Sequence, residues 1–145
     1  SPLLDWTRSP YVAAFFAFEK AKKDAKYVAI FMYRDSADGE RYGWAGEPTI
    51  YHFRSNVRTD RRHFRQQAEY TVCYSRDDKQ KIWRSHEKAH VSGDGQCILK
   101  KYLVPVDDQR ELLSTLDYMN INKYTLFGGD DAFMETLAFR EFCMP

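Results

Sequence analysis

The sequence contains no apolar run approaching the roughly 18 residues that a membrane-spanning helix requires, and no secretory signal pattern. It is poor in cysteine: Cys73, Cys97 and Cys143 are the only three. An odd count without paired spacing excludes a disulfide scaffold and predicts reduced thiols in a cytoplasmic protein. A dominant charge is lacking too, since 22 Lys/Arg face 21 Asp/Glu for a formal net charge of +1. That balance provides no global attraction toward nucleic acid or a membrane surface. Seven glycines and five prolines, with no internal repeat, exclude collagen-like and low-complexity classes. These exclusions leave one globular domain over residues 1–145, long enough to bury a core.

Against these absences, aromatic residues make up 16% of the chain, which suggests a core or cleft rich in Tyr and Phe. The charge is also unevenly spread. Residues 54–90 hold ten Lys/Arg against five Asp/Glu, which is either a solvated basic face or a surface that attracts phosphates.

The chain is organised around Leu3-Leu4-Asp5-Trp6-Thr7-Arg8-Ser9-Pro10 and the apolar run from Tyr11 to Ala17. Leu3–Thr7 reads as the end of a buried strand. Ser9 is placed to cap a helix, with Pro10 at its first position, and the apolar run predicts a helix buried on most faces, extending to about Asp24. Asp5, Trp6 and Thr7 then lie at a strand end, where they either face a cleft or only cap the turn.

Further along, Lys26–Tyr33 predicts a central buried strand. Residues 34–48 form a long loop carrying Trp44, and residues 50–65 read as irregular, with a helical turn near Asp60–Arg65. Ala68–Tyr74 alternates as a strand, with Ala68, Tyr70, Val72 and Tyr74 on the core side and Glu69, Thr71 and Cys73 facing solvent or a cleft. Asp77 or Asp78 is expected to cap a helix through about Ala89, followed by a turn at Ser92–Gly95. Gln96–Val104 predicts a strand, and Asp107 caps a helix with Leu112, Leu113, Leu116 and Met119 on one face. A last helix from Asp130 or Asp131 is expected to bury Phe133, Leu137 and Phe142. The order predicts an α+β domain with helices on a small mixed sheet.

His86-Glu87-Lys88-Ala89-His90 spells H-E-x-x-H, the spacing that places two imidazoles on one helix face around zinc. Arg84 and Lys88 crowd the motif with positive charge, and Val91-Ser92-Gly93 ends the helix at once. No metal is therefore expected there.

Three stretches resemble a known family. Leu3-Leu4-Asp5-Trp6-Thr7 with Ser9-Pro10-x-Val12-Ala13-Ala14-Phe15-Phe16-Ala17 looks like the central signature of the FRG domain of bacterial, phage and mobile-element proteins. Arg62–Tyr70 resembles its Arg-x-x-x-Gln-x-Gly-x-aromatic segment, with Ala68 where Gly is usual. Asn120-Ile121 and Thr125–Asp131 resemble its C-terminal block, with Gly128 replacing Pro. The Phe/Tyr-Arg-Gly motif that names the family is not in the chain, and the resemblance implies that it lies upstream of residue 1.

The resemblance extends by analogy to ADP-ribosyltransferases. It implies an ADP-ribosyltransferase-like fold in a toxin or phage-defence setting, with NAD as substrate and a protein or nucleic-acid acceptor. In that reading Glu69 is the catalytic carboxylate, Gln66 and Gln67 position substrate, Thr7 and Asp5 prop the site, and Arg62 and Arg65 contact phosphates. The other reading is a non-enzymatic module that binds nucleic acid through the basic region 54–90.

Overall fold

The computed structural model describes residues 2–34, 48–53, 60–77, 80–89 and 99–144. The loop around Trp44, the turn at Ser92–Gly95, Cys97 and His90 lie outside them. The elements run β1 (Leu3–Thr7), α1 (Pro10–Glu19), β2 (Tyr27–Tyr33), β3 (Thr49–Phe53), α2 (Arg61–Arg65), β4 (Ala68–Asp77) and β5 (Gln80–Trp83). After a 3-10 turn at His86–Ala89 follow β6 (Leu99–Pro105), α3 (Gln109–Tyr118), α4 (Lys123–Phe127) and α5 (Asp130–Cys143). The α+β class holds. The strands form two small sheets rather than one: β4 lies between β1 and β3 and also pairs with β5, while β2 pairs with β6. The β3–β4 and β4–β5 pairings are antiparallel.

The chain gathers into two compact units, one of Ser1–Trp6, Phe31–Asn56 and Glu69–Tyr102, the other of Thr7–Ile30, Val57–Ala68 and Leu103–Pro145. Each draws on three separate segments, so no linker or shift in composition marks them in the sequence.

The second unit is mainly helical. Ser9 caps α1 as expected: its Oγ accepts from the Val12 N–H at 3.3 Å, and Pro10 opens the helix. Val12, Phe15 and Phe18 are buried. The helix stops at Glu19, not Asp24. The Phe18 carbonyl, which residue 22 would use in a longer helix, instead accepts from the Ala21 N–H and from Gln109 Nε2 at 2.6 Å. Val12, Phe15, Leu116 and Leu126 form the core, with Leu112, Leu113 and Ile121 packed against it.

The helical core departs from expectation in three places. Asp108 precedes α3 in place of Asp107, and Met119, one residue beyond the helix, is exposed. Helix α4 was not anticipated, although Asn122 and Thr125 form a reciprocal capping box. Finally, α5 buries Ala132 and Thr136, while Phe133 and Leu137 are exposed and Phe142 is 78% exposed. Thr136 Oγ1 accepts from the Tyr124 N–H at 3.0 Å and donates to the Ala132 carbonyl at 2.8 Å. The small residues thus let α4 approach α5 closely, and that contact selects the buried face.

Gly128 ends α4 at φ +69° and ψ 178°, backbone that essentially only glycine adopts. A Cβ there would also meet Arg65 Nη1. Gly128→Ala is expected to destabilise the protein by about 1–3 kcal/mol in denaturant unfolding. Adding Arg65→Ala should recover only the steric share of that loss, because the backbone strain remains.

In the first unit, Leu3, Leu4 and Asp5 of β1 are exposed, so β1 is a half-covered strand and not a buried one. Residues 50–53, expected to be irregular, fall within β3, with Ile50 opposite Cys73 and His52 opposite Thr71. The expected helix over 77–89 is replaced by β5 and the 3-10 turn. Arg84 N–H continues the ladder to the Cys73 carbonyl at 2.9 Å, and Arg84 Nε donates to Ser75 Oγ at 3.1 Å. Ala89 of that turn packs on Ile50 and Cys73.

The expected outer face of β4 is therefore interior: Thr71 and Cys73 are 0% exposed and Glu69 only 8%. Val72 and Tyr74 on the opposite face are buried as well, so alternation separates the faces without marking either as open. Strand β2 carries a similar lesson. Its continuous apolarity suggested a central strand, yet among the described residues it pairs only with β6 and buries only Val28.

Candidate functional site

Polar residues singled out in the sequence fall into two groups. In the helical unit, Thr7 Oγ1 donates to the Gln66 carbonyl at 2.7 Å and accepts from the Ser9 N–H at 3.1 Å. The Arg8 N–H bonds to the Gln67 carbonyl at 3.1 Å. Gln66 Nε2 donates to the Leu126 carbonyl at 3.2 Å, and the Arg62 guanidinium lies over the Phe127 ring at 4.3 Å. Parts of all three FRG-like stretches are thereby joined, although 59 and 60 residues separate the bonded positions. Thr7 and Gln66 hold this junction through bonds to backbone carbonyls.

Helix α2 begins where Asp60 accepts from the Arg62 N–H at 2.9 Å. It exposes Arg61, Arg62 and Arg65. Its exit runs through Gln67, which is exposed with φ +48°. A non-glycine residue with positive φ is uncommon, and here it turns the chain from α2 into β4.

The second group lies along the interior face of β4. Glu69, near the start of the strand, has its Oε2 3.0 Å from His52 Nε2. Because His52 stands opposite Thr71, it is the diagonal neighbour of Glu69 on the same face, within reach of a long side chain. A buried carboxylate is costly unless it is paired or hydrogen-bonded, and the imidazole stands at ion-pair distance from Oε2 without hydrogen-bond geometry to it.

Two residues on, Thr71 Oγ1 accepts from the Trp6 indole N–H at 2.6 Å and lies 2.8 Å from His86 Nε2. The indole can only donate. The Thr71 hydroxyl is fully buried and, among the described residues, His86 Nε2 is its other partner, so we assign the hydroxyl proton to Nε2, which accepts it as neutral imidazole protonated at Nδ1. Burial lowers the His86 pKa by disfavouring its charged form. The Trp6 ring also lies 5.8 Å from Tyr33, centre to centre. Asp5, next to Trp6 on β1, is exposed.

Cys73 completes the row, and burial pushes its thiol pKa up. Alkylation of the native protein with iodoacetamide, read by peptide mass spectrometry, is expected to leave Cys73 unmodified until unfolding while the partly exposed Cys143 reacts. Early labelling of Cys73 would contradict its burial.

His52, Trp6, Thr71 and His86 were not assigned to a common site from the sequence. Only the even spacing from Glu69 to Thr71 to Cys73 hinted at a shared face. Residue His86 sits on a 3-10 turn rather than the α-helix that the H-E-x-x-H geometry requires. Among the described residues, no three His, Cys, Asp or Glu side chains are grouped to hold a metal ion. None of the described helices is long and apolar enough to cross a membrane.

Comparison with known proteins adds one match. Residues 1–26 match the FRG domain family, bearing out the resemblance carried by Leu3–Ala17. No curated protein and no solved structure matches the chain.

Proposed function

We propose that this FRG-type domain cleaves the nicotinamide–ribose bond of NAD and transfers ADP-ribose to a macromolecular acceptor, as part of a bacterial toxin or phage-defence protein with an ADP-ribosyltransferase-like fold. The observation that carries this reading is Glu69: a carboxylate 8% exposed, with His52 Nε2 3.0 Å away, at the start of a strand entered through Gln66-Gln67. A buried carboxylate is the group expected where positive charge develops in a transition state.

In the reaction, the C1′–N bond breaks with its electron pair passing to the nicotinamide ring, which leaves neutral. The ribose acquires oxocarbenium character, which Glu69 stabilises while accepting from a ribose hydroxyl. The acceptor's nucleophile then bonds to C1′ and loses its proton to solvent. Gln66, Gln67 and Thr7 are the positioning groups, and Asp5 a second prop. Arg62 and Arg65 are the phosphate contacts.

The direct test incubates the full-length protein with NAD and measures free nicotinamide by chromatography. Release above a heat-denatured control is expected, and none would reject the reading. The three exposed arginines of α2 favour one alternative, a nucleic-acid-binding module. That reading predicts binding that weakens steeply and log-linearly with salt, without NAD turnover.

A further inference from the structure

The helical unit contains a cleft of ≈ 170 Å³ that none of the roles above uses. Its apolar wall is built from Phe15 of α1, Leu113 of α3, Ile121 and Phe139 of α5. An apolar cavity of about 150 Å³ is large enough to bind benzene, so a single six-membered ring fits.

The polar side of the cleft is asymmetric in charge. Lys123 Nζ bridges Glu19 Oε1, at 2.9 Å, and Glu135 Oε2, so one ammonium serves two carboxylates. The third acid, Asp117, is almost fully buried and is taken by Arg140 Nε at 2.9 Å and Nη2 at 3.3 Å. Bonds to Glu135 and Glu19 raise the Lys123 pKa, which keeps its ammonium charged at neutral pH. The bridge therefore carries one negative charge in excess.

We infer that this cleft binds a small aryl-alkyl ammonium compound, with its ring against Phe15, Leu113, Ile121 and Phe139 and its ammonium beside Glu19 and Glu135. The incoming cation releases Lys123 from one glutamate, so that each carboxylate then faces one ammonium. The ring displaces water from apolar surface, which supplies the non-directional part of the affinity. An anion of the same shape meets the excess negative charge and is disfavoured.

The test titrates the full chain with benzylammonium, benzoate and toluene, following backbone amide resonances by NMR. Benzylammonium should shift Leu113, Ile121 and Asn122 saturably, and benzoate should bind about tenfold more weakly, the size of one modest charge difference. Glu135→Gln alters a half-exposed side chain and should narrow that gap while leaving toluene binding unchanged. Shifts that do not saturate, that map away from the cleft, or that are equal for benzylammonium and benzoate would overturn the assignment. The readout does not depend on NAD turnover, so its failure leaves the reading of Glu69 intact.

Discussion

Glu69→Gln is expected to lower nicotinamide release by about a hundredfold or more while leaving the protein folded. The substitution keeps the shape of the side chain and places an amide beside His52, which lies 3.0 Å from Glu69 Oε2. It removes the negative charge that the proposed reaction uses against the developing oxocarbenium ion. Folding should survive, because a neutral amide costs less to bury than a carboxylate. The measurements are nicotinamide release under single-turnover conditions and a thermal unfolding scan of parent and variant. A Glu69→Gln protein that releases nicotinamide at the parent rate would remove Glu69 from the chemistry. A variant that loses activity only by unfolding would show a lowered melting temperature, and His52→Gln then separates the two causes. That second variant keeps the carboxylate and a donor beside it, so it should retain far more activity than Glu69→Gln.

What could be read from the sequence was what depends on neighbours along the chain. Ser9-Pro10 before an apolar run identified the start of α1, because capping is a matter of adjacent residues. Gly128-Gly129 before Asp130-Asp131 identified the start of α5 in the same way. The faces were harder. Alternation correctly separated Glu69, Thr71 and Cys73 from Tyr70, Val72 and Tyr74, yet both sets are largely buried, because the His86–Ala89 turn covers the face expected to be open. In α5 the bulky Phe133, Leu137 and Phe142 looked like core, and the close approach of α4 to Ala132 and Thr136 reversed that choice. Periodicity indicates that a face exists, and only tertiary contacts decide what covers it.

The candidate site divides along the same line. Thr7, Gln66 and Gln67 were recognised as important through a family pattern, and their observed bonds are to backbone, joining segments about 60 residues apart. The Trp6–Thr71–His86 chain was not legible at all. Its members are separated by 65 and 15 residues, and nothing in the local pattern of any one predicts the other two.

That chain carries the second large expected effect. Thr71→Val should destabilise the protein by about 2–4 kcal/mol, since an isosteric methyl leaves the Trp6 indole N–H and the His86 Nε2 without their shared partner. Thr71→Ser, which keeps the hydroxyl, should cost clearly less, and equal losses in the two variants would mean that packing, not hydrogen bonding, matters at this position. The pH dependence supplies a second check. Burial holds the folded-state His86 pKa below its ordinary value of 6.5, so between those two pKa values the unfolded chain binds the extra proton and folding must exclude it. The stabilising contribution of neutral His86 is therefore fully present above about pH 6.5 and is lost as pH falls below it toward the folded-state pKa. In Thr71→Val the hydroxyl that donates to neutral His86 is gone, the neutral form loses part of its advantage, and the loss of stability on acidification should become shallower. Urea unfolding of both proteins between neutral and mildly acidic pH measures that slope, and a steeper slope in the variant would contradict the assigned direction of the Thr71–His86 hydrogen bond.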